Sequence, residues 1–410
     1  MPVNNNDLGL SFNQAATLLN NVVQQASGSS ALAAINTSDA VSVFTMALRN
    51  GYTPTLNAIS QVLGRTIFSI RPYTGKLISL DVDTDRWGII TRKLQMADRE
   101  VMDDTTVTLT DNQTYTPWLY RKPHVIQTNV YGKNMYQDCI VEYKNQLDAG
   151  LRGANEFANF MAMVYQNELD KLEQYKEGER RACLLNLIGG TMSAATTNSE
   201  TSRVRHLLTE YQAATGADAK LTIDELFGNV DNLRLFAGWF YAEYRRTIAM
   251  MGERTTLYHT LPVDSSGTKY QLKRHTPVSM VKSVMYRNFF DQLQTRVAPG
   301  TFHDGFLSEI DYEGVNFWQS ATTPEGINLA SATFFDTSAN KNNTTASSAV
   351  TSDYVLGVTF DKDAAGIRYF DQWQMNTGMD AQHGFANEWF HLQSQWTNDF
   401  TENCVVWLLD

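Results

Sequence analysis

The residues best placed to do chemistry are scattered acids, histidines and tryptophans. Asp81-Val-Asp-Thr-Asp85-Arg86 places acids at the first, third and fifth positions of a calcium loop. The sharp-turn position, however, is Arg86 instead of glycine, and the twelfth is Arg92 instead of glutamate, so a solvated turn at a strand end is the better reading. Of the seven histidines, His383 and His391 are the closest pair. On a strand eight residues span ~26 Å, so a shared metal would need a turn between them. Asp103-Asp104 and His303-Asp304 could imitate catalytic acids, but acid–base work needs two groups at a set separation, and surface charge is the simpler reading. Phe317-Trp318, Trp373, Trp389-Phe390, Trp396 and Trp407 could stack on sugars or bases; core or interface anchors are the commoner use. Glycine-rich phosphate loops, paired-histidine zinc helices and serine elbows are absent from the sequence. The expectation is a protein without catalysis, metal or cofactor.

Size and charge fit that expectation. The 410 residues are 43% apolar and 19% charged, enough to bury a core, with a net charge of −11. Such a balance argues against broad non-specific nucleic-acid binding, which needs a basic surface. Cys139, Cys183 and Cys404 form no close pair and read as reduced packing residues. The first residues, MPVNNNDLGL, lack the basic and apolar regions of a signal peptide, and no run reaches the ~18 apolar residues of a membrane span. Asn36, Asn112 and Asn342 head glycosylation patterns that read as chance without such a signal.

Residues 1–70 hold only Asp7, Asp39, Arg49 and Arg65 as charged groups. Helices are expected over 12–26, over 39–49 behind Thr37 or Ser38, and from Thr53-Pro54 to Gly64. Apolar helices with few charges are expected to pack on something larger, such as another subunit. Short β-prone segments follow over 77–83, 87–94 and 107–110, and the polar stretch 96–117 suggests a long hairpin. Residues 155–188 form the strongest helical pattern, with Phe157, Phe160, Met161, Val164, Leu172 and Tyr175 on one face. Glu168–Lys171, Glu173–Lys176 and Glu177–Arg181 pair on the other, and Gly189-Gly190 is expected to end the helix after ~50 Å. Further on, 204–214 reads as a helix closed by Gly216. Thr222-Ile-Asp-Glu225 reads as a capping box opening a helix to Met251 bent at Gly228. Residues 269–277 read as a strand, the stretch after it to Leu293 as helix-like, and 336–352 as an exposed loop. Strands are expected over 354–360, 387–397 (Phe390, Leu392 and Trp396 on one face) and 403–409.

The order of elements resembles the major capsid protein of tailed bacteriophages, the Hong Kong 97-type capsid fold. Asp170-Lys-Leu-Glu-Gln-Tyr-Lys-Glu-Gly-Glu-Arg-Arg-Ala182 is similar to the end of that family's spine helix. Arg274-His-Thr-Pro277 and Asp304-Gly-Phe-Leu resemble segments of its axial domain, and 367–398 with Phe400-Thr-Glu-Asn-Cys-Val-Val-Trp-Leu-Leu-Asp410 resemble its closing part. The resemblance implies an α+β fold with an N-terminal arm (1–70), an extended β-hairpin loop with flanking strands (71–135), a peripheral domain with the spine helix (136–190), a mixed axial domain (191–310) and returning strands (311–410).

It also implies self-assembly into hexamers and pentamers of an icosahedral head around double-stranded DNA. The DNA would be held without sequence-specific contacts, with no membrane, and with portal and scaffolding or decoration proteins as partners. Assembly in a bacterial host's cytoplasm is implied as well. Leu18, Phe44, Leu56, Trp87, Met102, Leu109 and Trp118 are the candidate inter-subunit contacts. Some members of this family join a loop lysine to an asparagine covalently. Residues 101–116, the loop tip, hold no lysine, and Lys93 lies lower on the hairpin, so no such crosslink is expected here. The alternatives are an aromatic-rich carbohydrate-binding or hydrolytic protein, or another virion component such as a tail or decoration protein.

Overall fold

A computed structural model describes residues 73–82, 91–98, 123–130, 132–143, 154–216, 221–263, 267–296, 311–339, 341–378, 380, 382 and 385–410. The expected helices within 1–70 and the strand at 107–110 lie outside these residues. In chain order the elements are β1 (Thr91–Met96), β2 (Val125–Val130), β3 (Asn134–Tyr143), α1 (Ala154–Thr197), β4 (Val204–His206), α2 (Leu207–Thr215), α3 (Ile223–Gly228), α4 (Val230–Met251), β5 (Val281–Tyr286) and α5 (Arg287–Arg296). They are followed by β6 (Glu313–Val315), β7 (Ile327–Leu329), β8 (Thr333–Asp336), β9 (Lys341–Thr345), β10 (Val350–Ser352), β11 (Val355–Asp361), β12 (Ala365–Asn376), β13 (Phe385–Asn398) and β14 (Cys404–Leu408). The mix is α+β. Among the described residues one unit holds 73–76, Asn134–Gly178 and Tyr369–Ser394. The other holds Leu77–Lys133, Glu179–Arg368 and Gln395–Asp410.

The second unit is built on a five-stranded sheet of order β4-β14-β11-β5-β6. β14 lies inside it, antiparallel to β11 and parallel to β4. Every residue of β11 and β14 is buried, so both faces are covered, which explains the unbroken apolar runs. Alternation along β14 sends Cys404 and Trp407 to opposite sides. Cys404 meets Thr191 of α1 at 3.5 Å. Trp407 packs edge-on against Phe240 of α4 at 5.8 Å, and its indole N–H donates to Thr359 Oγ1 at 3.0 Å. Phe236, Phe240 and Phe289 continue this aromatic layer between α4 and α5. The last residue is also tied down. Its backbone oxygen accepts from the Thr209 N–H at the start of α2, and its carboxylate lies 2.8 Å from His206 Nδ1.

Local rules hold at several boundaries. Thr222 and Glu225 form the reciprocal capping box of α3, and Gly216 closes α2 at φ 68°. The stretch to Met251 is two helices and not one bent helix, because Asn229 is extended (φ −117°, ψ 123°) and its side chain caps α4 through the Asp231 N–H. Residues 269–277 form only isolated bridges, Val263 with Lys269 and Thr255 with Arg274. The helix-like stretch after them opens with one 3-10 turn (Val278–Met280) and then becomes β5, because its Val and Tyr positions complete the sheet beside β11; α-helix begins at Arg287. The supposed loop over 336–352 contains β9, which pairs with β8, and β10, which pairs with β7.

The largest departure concerns α1. It runs 44 residues, ~66 Å, straight through Gly189-Gly190. These glycines serve packing and not termination. A Cβ on Gly190 would lie 2.5 Å from Phe400 Cζ and 2.5 Å from the Thr333 carbonyl, and one on Gly189 would lie 2.6 Å from Leu329. The helix approaches the β7–β8 segment as closely as a bare backbone allows.

In the first unit β12-β13-β3 form an antiparallel sheet whose inner face packs on α1. Tyr165 meets Phe390 edge-on at 6.2 Å, and Tyr136 meets Tyr175 at 4.5 Å. Glu168, expected on the solvent side of the helix, is 2% exposed beside Lys171, which also reaches Asp138 at 3.4 Å. Burial raises the Glu168 carboxyl above its ordinary range. Tyr165 donates to the buried Glu388, which also takes a bond from Gln374. Alternation along β13 buries Phe390 and Leu392, then slips at Ser394 and Gln395, both buried, leaving Trp396 half-buried.

Two outcomes test this packing. Gly190→Ala should cost about 1–3 kcal/mol in chemical denaturation, since the new methyl overlaps backbone and an aromatic ring. Deleting 405–410 should leave no soluble folded protein, because β4 and β11 lose the strand between them; recovery of a cooperative folded truncation would contradict this.

Candidate assembly interface

The strands that bring a surface forward are β1 and β2. They pair antiparallel with Met96 opposite Val125, Gln95 opposite Ile126, Leu94 opposite Gln127 and Lys93 opposite Thr128. A two-stranded ribbon on a protein body normally turns apolar residues inward and polar ones outward. Here the polarity of β1 is inverted. Leu94, Met96 and Val125 share the outer face at 63%, 61% and 60% exposure, while Lys93 and Gln95 point inward. The inner side chains are held by polar partners, so the register is fixed with the apolar face outside.

The clamp is ionic. Lys93 Nζ lies 2.5 Å from Asp399 Oδ2 and 2.5 Å from Glu402 Oε1, and Arg274 joins Glu402 at 2.8 Å. Thr401 donates to Asp399 Oδ1 from its N–H at 2.9 Å and its hydroxyl at 2.6 Å. Burial disfavours the Lys93 charge, but Asp399 and Glu402 outweigh it and raise the ammonium above its ordinary value. Burial likewise works against the Asp399 carboxylate, yet Lys93 and the Thr401 bonds hold its pKa below the usual range. For Glu402 burial wins, and its pKa is raised despite Lys93 and Arg274. At the end of β1, Asp98 accepts from Arg254 and from the Lys273 N–H, and its own N–H donates to the Gln271 carbonyl at 2.8 Å. Just beyond β2, the Gly132 carbonyl accepts from Gln395 Nε2 at 2.6 Å.

The residues singled out for chemistry are dispersed. Asp81 forms a two-pronged ion pair with Arg180, at 2.8 and 2.7 Å. His391 stacks on Trp373 at 5.0 Å, while Trp318 and Trp407 are core side chains. Burial pushes the Cys183 thiol up to about 12, and Cys404 is also buried. Asp103, Asp104, His303, Asp304 and His383 lie outside the described residues, as do all seven candidate contacts: Leu18, Phe44, Leu56, Trp87, Met102, Leu109 and Trp118. Among the described residues no group of three or more His, Cys, Asp or Glu is arranged to hold a metal, and no helix is long and apolar enough to cross a membrane. Sequence reasoning missed Leu94, Met96 and Val125. The signal was present, because Lys93-Leu-Gln-Met96 alternates, but alternation alone does not say which face is outside.

Stability of the clamp should depend on pH through Asp399. Its folded pKa is lowered, so its contribution is full above the unfolded carboxylate pKa of about 4 and is lost as pH falls through the lower folded value. Glu402, shifted upward, has the opposite sign, contributing most below its unfolded pKa and losing that contribution as pH rises. Amide exchange of β1 and β2, corrected for intrinsic rates, should therefore accelerate below the ordinary carboxylate range, through Asp399, and also as pH rises through the raised Glu402 value. Lys93→Met should accelerate it already at neutral pH, at a cost of about 2–4 kcal/mol for the stranded carboxylates. Unchanged exchange in that variant would show that the clamp does not hold the ribbon.

No protein-family model matches the chain, and no curated protein does. Solved structures do. A chain in the capsid structure of Staphylococcus phage Andhra superposes with a TM-score of 0.50 at 10% identity, covering 83% of this chain and 86% of that one. A chain in a structure of the head fiber and inner core protein gp22 of native bacteriophage P68 gives 0.49 at 9% identity, covering 83% and 86%. At 10% identity the Andhra likeness is one of fold. The chain has the fold of a tailed-phage capsid protein.

Proposed function

We propose that this chain is the major capsid protein of a tailed phage, assembling into hexamers and pentamers of an icosahedral head that encloses double-stranded DNA, without catalysis. The observation that carries the reading is the inverted ribbon. An ion clamp fixes β1 and β2 so that Leu94, Met96 and Val125 face outward together, an exposed apolar patch of the kind that marks a partner surface. A chain that assembles with its own copies supplies that partner. The shared fold and the net charge of −11, suited to a shell that must not cling to its DNA, support the same reading.

In this reading residues 1–70 are an arm that grips a neighbour, and the segment joining β1 to β2 is the extended loop over an adjacent subunit. α1 is the spine of the peripheral domain, 191–310 form most of the axial domain, and 311–410 return strands to both. Portal and scaffolding or decoration proteins are the further partners, with assembly in the cytoplasm of a bacterial host. Two of the late tryptophans, Trp318 and Trp407, are buried. That leaves less aromatic surface for a carbohydrate-binding alternative.

Negative-stain microscopy of the purified protein tests the proposal. Closed shells or six- and five-fold capsomers are expected, and a stable monomer that binds or cleaves glycans would overturn it. Leu94→Lys with Met96→Lys should abolish particles while changing subunit stability by no more than about 0.5 kcal/mol, as for ordinary surface positions. Mass spectrometry of denatured particles should find no Lys–Asn isopeptide, because Lys93 is held by Asp399 and Glu402.

A further inference from the structure

Within the second unit a hollow of about 630 Å³ opens between the start of α2, the first turn of α3 and the residues that precede β11. Asp224, Glu325, Asp353 and Asp410 line it, and its described lining residues include no lysine or arginine. Leu208, Leu221 and Ile223 give it apolar wall. We propose that this hollow binds a free aliphatic polyamine, an alkyl chain carrying two or more ammonium groups. The site does not depend on the assembly proposed above.

Acids that share a wall are commonly only solvated, and Tyr354 is what sets this wall apart. It lines the hollow at 8% exposure, with its ring held by Phe227 at 6.1 Å and by Tyr286 at 5.8 Å. A buried phenol normally finds a hydrogen-bond partner. The Tyr354 hydroxyl has none among the described residues, yet it is not sealed from solvent, so what remains open of this side chain faces the hollow. Burial first, then Tyr286 and Glu325, push its pKa well above the ordinary phenol value, which keeps the proton on. A protonated phenol can accept from an ammonium group and donate to a carboxylate.

The spread of charge selects the ligand class. Among the described residues no three acids converge as they would on a metal ion. Asp410 is already answered by His206 at 2.8 Å, while Asp224, Glu325 and Asp353 have no ion-pair partner among the described residues. Separated carboxylates beside apolar wall suit cationic centres joined by methylenes, whose stems cover Leu208, Leu221 and Ile223 while their heads stay with the acids. A lysine side chain from another molecule would bring one charge and leave the other acids uncompensated.

The test titrates spermidine into the purified full chain by isothermal calorimetry at ~20 mM salt, where charges are little screened. Saturable one-to-one binding is expected, weakening as sodium chloride is raised, with putrescine weaker and butylamine weaker still. Glu325→Gln with Asp353→Asn should weaken spermidine by about tenfold or more. Tyr354→Phe should weaken it about two- to tenfold, the worth of one hydrogen bond. Glu253→Gln with Asp311→Asn removes the same charge from exposed positions outside the hollow and should change affinity by no more than about twofold. Thermal unfolding of each variant is followed alongside, so a lost fold is read apart from a lost site. Absence of saturable binding would overturn the proposal. Equal losses in the two paired variants would also overturn it, showing general attraction to an acidic protein. So would stoichiometric magnesium binding that Glu325→Gln with Asp353→Asn abolishes, which would make this a metal site. Carbodiimide coupling of Glu325 or Asp353 to a lysine of another copy, read by mass spectrometry, would overturn it by showing that the protein fills the hollow itself.

Discussion

The second unit depends on β14 being inserted between β4 and β11. A strand in that position has no edge exposed and no face exposed, so its side chains must satisfy two covering layers at once. Cys404 is small enough to meet Thr191 on one side, and Trp407 fills the aromatic layer on the other. The polar groups on these buried surfaces are answered in kind. The Trp407 indole reaches Thr359, and Arg203, fully buried, reaches Glu200 and Thr260. The His259 ring, between the Leu272 carbonyl and Asn403, is kept neutral by burial, with its pKa lowered to about 4. Removing the strand would take the indole away from Thr359 and uncover the apolar surface of both layers.

The ribbon obeys a different logic. Its backbone pairing is local, but its placement is electrostatic. One lysine between two carboxylates fixes which face of β1 is inside, and a one-residue slip would exchange Lys93 and Gln95 for Leu94 and Met96. The body therefore accepts polar side chains and presents apolar ones, the reverse of what hydrophobic burial within one subunit would select. In the assembly proposed above that preference would be reversed, since the outer face would then be the buried one.

What the sequence made legible follows this division. Features set by neighbours in the chain were readable. The Thr222–Glu225 box, the left-handed Gly216 and the apolar runs of β11 and β14 each follow from a few adjacent residues. Features set by distant contacts were not. Gly189-Gly190 obeys the rule for a helix end, but Thr333 and Phe400, more than a hundred residues away, determine what those glycines do. The Asn- and Thr-rich 341–345 has no apolar pattern, yet pairing with β8 makes it a strand. Glu168 resembled one half of a surface pair and is buried because Asp138 and Tyr136 of β3 come over it. For the site, Lys93 drew notice as a crosslinking group. Its role as a clamp needed Asp399 and Glu402, whose proximity no local pattern encodes.

The parallel pairing of β4 with β14 also sets a schedule. Val204 meets Val406, so about two hundred residues must leave the ribosome after β4 before its partner exists. At typical synthesis rates of ~5–20 residues per second that interval lasts ~10–40 s. During it β4, and β11 once it has been made, present edges that still lack their partner. The decisive step in folding this unit thus waits for β14, and the yield of folded chains is governed by how well those edges are shielded until it arrives.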